Sequence, residues 1–250
     1  MARLNEERVK SGIQGLDELI EGGFPRGFCY AIVGGPGAGK TIFGSQFLYH
    51  GVTRYEENGI YVTLEEPPFS INGNMARFGW NLYELEKREK IALVDASPVH
   101  TSQSRYVIKG GIGTEDFSID GLLGVIAEAK RKINAKRCVI DSLKALSIQY
   151  RDEFETRQQI LKLIRALTEM KLTTMLLAET SEEKADSQSF GTEEFLAQGV
   201  IYLHTYRIRD SVVRAVEVRK MRGVKTINKL CPYTFTDEGM VVYPQETVFR

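Results

Sequence analysis

The sequence has little cysteine, no net charge and no obvious linker. Each of these absences excludes some classes of protein. Its three cysteines, Cys29, Cys138 and Cys231, lie far apart and fit no CxxC or histidine-paired spacing. We therefore expect neither a disulfide framework nor a zinc site, and we predict reduced, mostly buried thiols. Because 33 basic and 33 acidic side chains cancel, no global cationic field favours non-specific binding to nucleic acid.

Long apolar runs are also missing. No run approaches the roughly 18 residues that a membrane helix needs, and the amino terminus "MARLNEERVKSG" is charged. We therefore expect no signal peptide, no membrane association and a cytoplasmic location. The chain has 250 residues with 42% hydrophobic content and no convincing repeat, which predicts one domain over residues 1–250.

The chain does contain short apolar runs alternating with amphipathic segments. The runs predict strands buried on both faces at residues 28–33, 60–64, 91–95, 138–141 and 173–179. Three- and four-residue apolar spacing predicts helices over about 40–55, 119–133 and 154–170. This alternation indicates an α/β fold with a mostly parallel central sheet flanked by helices. After residue 198 strands and turn signals dominate, which predicts a C-terminal antiparallel extension of the same sheet.

A phosphate-binding motif follows the first of these predicted strands. The stretch "GGPGAGKT", residues 34–41, fits GxxxxGK[ST] and opens a predicted helix. Inward-turned backbone N–H groups and the helix N-terminus favour phosphate there, Lys40 adds a point charge that also makes it a catalytic candidate, and the Thr41 hydroxyl suits Mg²⁺. The residues expected at the nucleotide are Gly35, Pro36, Gly37, Ala38, Gly39, Lys40, Thr41 and Ile42.

A second metal-ligand candidate is Asp141, which ends the short strand in "RCVIDSLKAL". Open α/β sheets place ligand-binding residues at the carboxyl ends of strands, and a carboxylate there can hold Mg²⁺ through water. Ordinary strands also end in aspartate, but this one lies about 100 residues after a phosphate loop, as expected for its partner motif. Glu179 ends another predicted strand and has two interpretations, a sensor of the γ-phosphate or a surface charge.

Two adjacent carboxylates, Glu65 and Glu66, follow a predicted strand in "YVTLEEPP". At the nucleotide edge of the sheet, a carboxylate can orient or deprotonate the water that attacks the γ-phosphate. The alternative is a solvated strand end with two surface charges. Since adjacent strand residues point to opposite sides, we expect only one of the pair to face the nucleotide. Pro67 and Pro68 are expected to shut off helix formation after the pair.

The phosphate loop, the glutamate pair and the strand-ending aspartate, in this order, resemble the RecA-like ATPases and among them the KaiC family. Other segments resemble that family as well, so that most of the chain is covered. They are "SGIQGLDELIEGGFPRG" at 11–27, "TIFGSQFLYHGV" at 41–52, "NMARFGW" at 74–80, "EEFLAQGVIYL" at 193–203, "VRKMRG" at 218–223 and "PYTFTDEGMVVYP" at 232–244.

The resemblance implies a RecA-like P-loop core that assembles into a ring, commonly hexameric, with ATP or ADP bound between neighbours. It also implies that ATP is hydrolysed with Mg²⁺. Glu65 and Glu66 match the family's catalytic glutamates. Lys220 and Arg222 of "KMRG" match residues that reach the phosphates of the neighbour's nucleotide, and Asp237 matches a position near the nucleoside. Charge supplied by another subunit makes turnover dependent on assembly.

Two departures limit what the resemblance implies. The clock protein of the family has two such domains and autophosphorylates adjacent Ser and Thr residues, whereas this chain has one domain and "EEF", residues 193–195, at the aligned positions. We therefore do not expect clock-type autokinase activity. The RadA repair proteins carry a zinc finger and a "KNRFG" motif, and neither is present.

The one strongly basic stretch is residues 205–225, "TYRIRDSVVRAVEVRKMRGVK". Three interpretations stay open: a solvated strand face, contacts to a neighbour's nucleotide with pairing at the interface, or a track for DNA or RNA. Its basic residues are Arg207, Arg209, Arg214, Arg219, Lys220, Arg222 and Lys225.

Three functions are therefore compatible with these motifs. The first is a ring-shaped Mg²⁺-dependent ATPase, and the second is a nucleotide-dependent switch or scaffold that turns over little and recruits an unidentified protein partner. The third is a DNA-stimulated recombination or repair ATPase. The balanced charge disfavours the third, as does the acidic segment 180–194, which occupies the expected place of a mobile DNA-binding loop.

Overall fold

The computed structural model describes residues 7–97, 106–108, 111–150, 152–180, 196–208, 211–226 and 229–248. A two-stranded antiparallel ribbon pairs β1 (Arg8–Val9) with β2 (Phe24–Pro25). All other strands in these described ranges belong to one ten-stranded sheet. They are β3 (Cys29–Gly34), β4 (Gly59–Thr63), β5 (Ile91–Asp95), β6 (Tyr106–Val107), β7 (Arg137–Asp141), β8 (Thr173–Glu179), β9 (Gly199–Ile208), β10 (Ser211–Met221), β11 (Cys231–Thr236) and β12 (Gly239–Val242).

The strand order of the large sheet is β12-β11-β10-β9-β3-β8-β7-β4-β5-β6. Every pair from β9 through β3 to β6 is parallel, and β9, β10, β11 and β12 pair antiparallel with one another. The predicted mostly parallel sheet with an antiparallel C-terminal extension is therefore confirmed. All five predicted central strands are present within one residue of their expected ends, and β6 was not predicted.

Seven α-helices lie in the described part of the chain: α1 (Leu16–Leu19), α2 (Lys40–Tyr55), α3 (Pro68–Met75), α4 (Leu82–Lys87), α5 (Ile119–Ile133), α6 (Leu146–Gln149) and α7 (Glu153–Glu169). The predicted helices correspond to α2, α5 and α7. Side chains alternate between the two faces of the strands. On β4, Tyr61 joins the core with α2, whereas Ile60 and Val62 join the core with α5 and α7. The helices therefore cover both faces, as parallel strands require.

The two prolines after the glutamate pair start a helix rather than preventing one. Pro67 is the extended N-cap of α3, with φ −66° and ψ 149°, and Pro68 is its first residue. Proline suits the first turn, because its fixed φ is helical and its missing N–H has no helical partner there. The expectation that the prolines shut off helix formation was therefore wrong.

Two further predictions concern the cysteine thiols and membrane-spanning helices. All three cysteines are buried and free, as predicted. Within the described ranges, no helix is both long enough and apolar enough to cross a membrane. The acidic segment at 181–194, the aligned residues 193–195 and Arg209 lie outside the described residues.

Candidate active site

The phosphate loop connects β3 to α2 at the carboxyl edge of the sheet. Gly37 and Gly39 have φ of 74° and 92°, in the left-handed region that glycine adopts at little cost. Gly39 is the N-cap of α2 and has no side chain that could cap this helix end. The N–H groups of the first turn are therefore available to an anion, where the helix dipole adds partial positive charge.

The loop lysine lies against the loop itself. Lys40 Nζ donates to the carbonyl oxygens of Gly34 at 2.9 Å and Gly35 at 3.1 Å. Burial lowers the pKa of Lys40, while Glu179 and Asp141 oppose that shift. The ammonium group thus lies at the mouth of the loop, near the carboxylates of Glu179 and Asp141. An incoming phosphate can replace its carbonyl partners there.

Thr41 and Asp141 meet across the site. Thr41 Oγ1 donates to Asp141 Oδ2 at 2.9 Å, and the Tyr61 hydroxyl donates to the same oxygen at 2.6 Å. Burial raises the pKa of Asp141, the two hydrogen bonds lower it, and Glu65 raises it further, with a net increase. The structure therefore brings together the hydroxyl and the carboxylate that the sequence suggested as metal ligands.

A pocket of about 450 Å³ opens over these groups. Its floor is the phosphate loop and the ends of β4, β7 and β8, while α3 and the turn after it form one wall. The residues that line it are Pro36, Gly37, Gly39, Lys40, Thr41, Ile42, Thr63, Glu65, Glu66, Asn74, Met75, Arg77, Phe78, Asp141, Ser142 and Glu179. Most of the predicted phosphate-loop residues are among them, and Gly35 and Ala38 are not.

Both glutamates of the pair line this pocket, although adjacent residues of a strand would point to opposite sides. The physical reason is that β4 ends at Thr63 and the chain bends before the pair, so strand alternation no longer applies. That only one of them faces the nucleotide stays a prediction. Their carboxylates have different partners. Glu65 accepts a hydrogen bond from the Ser142 hydroxyl, next to Asp141. Glu66 accepts one from Ser70 Oγ at 2.6 Å, in the first turn of α3.

Glu179, at the end of β8, forms an ion pair with Lys144 at the pocket rim. The hydrogen bond from Lys144 lowers the pKa of Glu179, against the effect of burial, and Lys40 lowers it further. Lys144 follows β7 by a few residues, so the pair joins the ends of two neighbouring strands. Glu179 thus lines the pocket, as its interpretation as a sensor of the γ-phosphate requires.

The antiparallel extension reaches the phosphate loop from the other side. The Tyr233 hydroxyl of β11 donates to the Ala38 carbonyl at 2.7 Å. A Cβ atom built on Gly39 would lie 2.2 Å from the ring of Phe235, so the ring occupies the space of a side chain. Arg214 of β10 in turn lies over the Phe235 ring, 5.3 Å from its centroid. The extension is therefore in direct contact with the phosphate loop.

Lys220 and Arg222 lie away from their own pocket. Lys220 pairs with Val200, which pairs with Ala31 of β3, and the Arg222 amide bonds to the Gln198 carbonyl at 3.0 Å. Both positions are toward the amino-terminal edge of β3, roughly 10 Å or more before the phosphate loop at about 3.3 Å per residue. Lys220 Nζ donates to the Ala197 carbonyl at 2.8 Å. The Arg222 side chain is exposed.

Asp237 and the remaining basic residues of 205–225 lie in different surroundings. Asp237 is exposed in the turn between β11 and β12 and is not among the pocket-lining residues. Arg219 donates to Glu217 at 2.9 Å and lies 3.7 Å from the centroid of the Tyr202 ring. Part of the basic stretch is thus used within the sheet, while Arg222 and Lys225 are exposed.

Several residues of the site were not predicted as such. Tyr61 and Ser142 hold carboxylates by long-range hydrogen bonds that no local pattern signals. Asn74, Arg77 and Phe78 line the wall of the pocket and fall in the segment "NMARFGW". That segment resembles the KaiC family, but the resemblance alone does not indicate which of its residues line the pocket. Its single cation, Arg77, is the sequence signal for a group near an anionic ligand.

The donor set fits a hard divalent cation. Thr41 and Asp141 offer two oxygens within 2.9 Å of each other at the head of α2. Nowhere in the described part of the chain do three or more His, Cys, Asp or Glu side chains form a metal cluster. Mg²⁺ is usually held by one or two protein oxygens plus phosphate oxygens and water, so two ligands beside a phosphate loop suffice.

Comparison with known proteins agrees with this geometry. A family model described as "ATPase: KaiC" matches residues 9–247, which is nearly the whole chain. The chain belongs to the KaiC ATPase family. The solved structure of a KaiC-like protein from the hyperthermophilic archaeon Pyrococcus horikoshii OT3 is 40% identical in sequence to this chain and superposes with a TM-score of 0.81. That similarity covers 95% of this chain and 99% of the other.

Two further relatives differ in length. The circadian clock oscillator protein KaiC of Parasynechococcus marenigrum is 35% identical over 242 residues, which are 97% of this chain and 46% of that protein. The chain thus spans less than half the length of its clock relative. The UPF0273 protein of Aeropyrum pernix is 35% identical over 246 residues, covering 97% of this chain and 96% of that protein. Membership of the KaiC ATPase family is therefore shown, and it suggests that the chain binds nucleotide.

Proposed function

We propose that this KaiC-family chain binds ATP with Mg²⁺ in the pocket above the phosphate loop and hydrolyses it to ADP, in a homo-oligomeric ring with nucleotide at the subunit interfaces. The observation that carries the proposal is the Thr41–Asp141 hydrogen bond of 2.9 Å. It brings the helix after the phosphate loop and the end of β7 into one pocket that also contains both glutamates. We further propose that residues 1–250 act as a single cytoplasmic domain.

The phosphate loop and its lysine bind the nucleotide in this proposal. Residues from Gly35 to Ile42 surround the phosphates, since the uncapped N–H groups of α2 point to the mouth of the loop. Lys40 exchanges its carbonyl partners for phosphate oxygens. Arg77, on the facing wall, is placed to meet negative charge from the other side of the pocket. Asp237 is assigned to the nucleoside end by the family resemblance alone.

Thr41 and Asp141 are the residues that would hold Mg²⁺. When bound, the ion would neutralise charge on the phosphoryl oxygens. Asp141 Oδ2 is occupied by two hydrogen bonds, and Oδ1 accepts none from the described residues. Oδ1 is therefore the oxygen that remains available for the ion or one of its water ligands.

Between the two glutamates, Glu65 is our choice for orienting the attacking water. Its carboxylate is bonded through Ser142 to the end of β7 and is close enough to influence the ionisation of Lys40 and Asp141. Glu66 is bonded to Ser70 in α3, and its carbonyl accepts from Thr63. We therefore assign Glu65 to the water and Glu66 to holding the start of α3 beside the pocket.

Lys220 and Arg222 act on a neighbour's nucleotide in this proposal. Their place toward the opposite edge of β3 supports that assignment, because the pocket of the same chain opens at the carboxyl edge. A ring that brings the amino-terminal edge of one sheet beside the pocket of the next would supply these charges between subunits. Turnover then depends on assembly.

Two measurements on the wild-type chain test the proposal together. Steady-state release of phosphate from ATP, with Mg²⁺ and with EDTA, measures turnover, and light scattering after size-exclusion chromatography measures the oligomer with and without ATP. We expect Mg²⁺-dependent turnover from an oligomer. Nucleotide binding without turnover would contradict hydrolysis and favour a switch, and full turnover by a stable monomer would contradict the role given to Lys220 and Arg222.

A further inference from the structure

A buried tyrosine, Tyr61, contacts the carboxylate that ends β7. Its side chain is 1% exposed, and its hydroxyl donates to Asp141 Oδ2 at 2.6 Å. The same oxygen accepts from Thr41 Oγ1 at 2.9 Å. We propose that Tyr61 is a positioning residue that fixes the Asp141 carboxylate for a divalent cation. The inference rests on the proposed nucleotide site and adds a residue to it.

The register of the sheet explains how the phenol reaches the carboxylate. In the parallel pair of β4 and β7, Tyr61 lies opposite Val139 and Thr63 lies opposite Asp141. Tyr61 is thus two positions before the level of the aspartate, on the face that α2 covers. Strand side chains lean along the strand, and a tyrosine ring is long enough to span two positions. A shorter side chain at residue 61 would leave this oxygen of Asp141 with the Thr41 hydroxyl alone.

The hydroxyl matters because a carboxylate with one donor can turn. Asp141 is bonded on Oδ2 by hydroxyls from two different elements, α2 and β4, which define the plane of the group. Oδ1 accepts no hydrogen bond within the described part of the chain and is left for the cation or its water. Groups that orient a metal ligand in this way typically account for about 10- to 100-fold in metal affinity or activity.

Burial of the phenol supports a positioning role over simple packing. A phenylalanine would fill the same apolar space with no hydroxyl to satisfy, and a buried hydroxyl is unfavourable unless it is hydrogen-bonded. A second buried tyrosine offers a comparison. Tyr30 of β3 is 0% exposed, and its hydroxyl donates to the Pro25 carbonyl at 2.6 Å, far from the pocket. Both residues are buried and both of these hydrogen bonds are 2.6 Å long, but the bond from Tyr61 goes to a candidate metal ligand and the bond from Tyr30 goes to a backbone carbonyl.

The test compares Tyr61→Phe with Tyr30→Phe as the matched control. The full-length chain is loaded with a fluorescent N-methylanthraniloyl ADP, and Mg²⁺ is titrated to find the concentration at half-maximal change in signal. The dissociation constant of the same nucleotide is also measured in EDTA. We expect Tyr61→Phe to raise the Mg²⁺ midpoint about 10-fold and to leave the constant in EDTA unchanged. Tyr30→Phe should change neither, although each variant loses a buried hydrogen bond and some thermal stability.

Three other results would contradict the inference. The Mg²⁺ midpoint of Tyr61→Phe could stay within about twofold of the wild type, in which case the hydroxyl does not position the ligand. The variant could weaken nucleotide binding equally with Mg²⁺ and with EDTA, which would indicate an effect on the pocket as a whole. Finally, a wild-type chain that binds nucleotide with no Mg²⁺ effect would contradict the proposed metal site and this inference with it. Asp141→Asn serves as the reference for loss of the metal ligand.

Discussion

The hydroxyl of Tyr233 in β11 donates a hydrogen bond of 2.7 Å to the carbonyl of Ala38 in the phosphate loop. The antiparallel extension, which also contains Lys220 and Arg222, thus contacts the loop that is proposed to bind phosphate. The contact is direct, through the buried Tyr233 side chain and through the Phe235 ring, which lies against Gly39. Ordering of the loop and of the extension should therefore be linked.

Removing this hydroxyl should weaken nucleotide binding. A typical net hydrogen bond contributes about 1 kcal/mol, so Tyr233→Phe should weaken ADP binding roughly fivefold while the fold is kept. Tyr243→Phe is the control, because Tyr243 is 39% exposed and lies at the end of the same extension. Isothermal titration of ADP into both variants checks the prediction. Equal affinity for ADP in the two variants would show that the bond does not order the loop.

Gly39 and Gly37 should differ in their tolerance of alanine. Both have positive φ, so each alanine pays a backbone strain of about 1 kcal/mol. Only at Gly39 does the new Cβ meet a ring, at 2.2 Å from Phe235, whereas nothing lies within 4 Å of a Cβ at Gly37. Gly39→Ala should therefore be less stable than Gly37→Ala by about 1–3 kcal/mol in urea unfolding. Adding Phe235→Leu to Gly39→Ala should recover part of that difference, and no recovery would contradict the steric explanation.

The buried ion pair of Glu57 and Arg137 should make stability depend on acid pH. The Arg137 side chain is 0% exposed and bonds Glu57 through Nε at 2.7 Å. Burial raises the pKa of Glu57, but Arg137 and Arg26 more than offset it, so the pKa lies below the usual 4.5. Because the folded-state pKa is depressed, the pair stabilises the fold above about pH 4.5, and this contribution is lost as the pH falls through the folded-state value.

Glu57→Gln should therefore cost about 3 kcal/mol at neutral pH, because it leaves Arg137 buried without its counter-charge. The cost should shrink as the pH falls below 4.5. Glu84→Gln is the surface control, since Glu84 pairs with Arg88 at 2.9 Å on an exposed helix face and should change stability by less than about 0.5 kcal/mol. Urea unfolding across pH 3 to 7 measures both. Equal costs for the two variants would contradict the buried-pair account.

Mixing two inactive variants should restore turnover if Lys220 acts between subunits. Glu65→Gln keeps Lys220 but lacks the carboxylate for water, and Lys220→Ala keeps Glu65 but lacks the charge for its neighbour. In mixed oligomers, some pockets with an intact Glu65 face an intact Lys220. We expect phosphate release from the mixture to exceed the sum of the separate variants severalfold. A strictly additive rate would place Lys220 outside the neighbouring site.

Much of this architecture followed from local patterns in the sequence. Apolar runs placed β3, β4, β5, β7 and β8 because buried parallel strands are apolar on both faces, and the phosphate motif located the site. The predictions failed where the result depended on a residue's position within its helix or strand. Pro67 and Pro68 begin a helix instead of preventing one, because proline is favourable at a helix start. The glutamates do not follow strand alternation because the strand ends at Thr63.

Long-range contacts explain what the sequence patterns did not reveal. Tyr61 and Asp141 are 80 positions apart, and Tyr233 and Ala38 are 195 positions apart. No periodicity or short motif links such pairs, since only the strand order brings them together. The wall of the pocket around Arg77 and Phe78 was missed for the same reason, because its place depends on how α3 packs beside the phosphate loop.

Single substitutions at the glutamate pair test whether Glu65 orients the attacking water. ATP turnover and ATP affinity should be measured for Glu65→Gln and Glu66→Gln under identical conditions. We expect Glu65→Gln to lower turnover at least about 100-fold while ATP affinity stays within a few fold, and Glu66→Gln to have a much smaller effect on turnover. Unchanged Mg²⁺-dependent turnover in Glu65→Gln would contradict the mechanism proposed for this site.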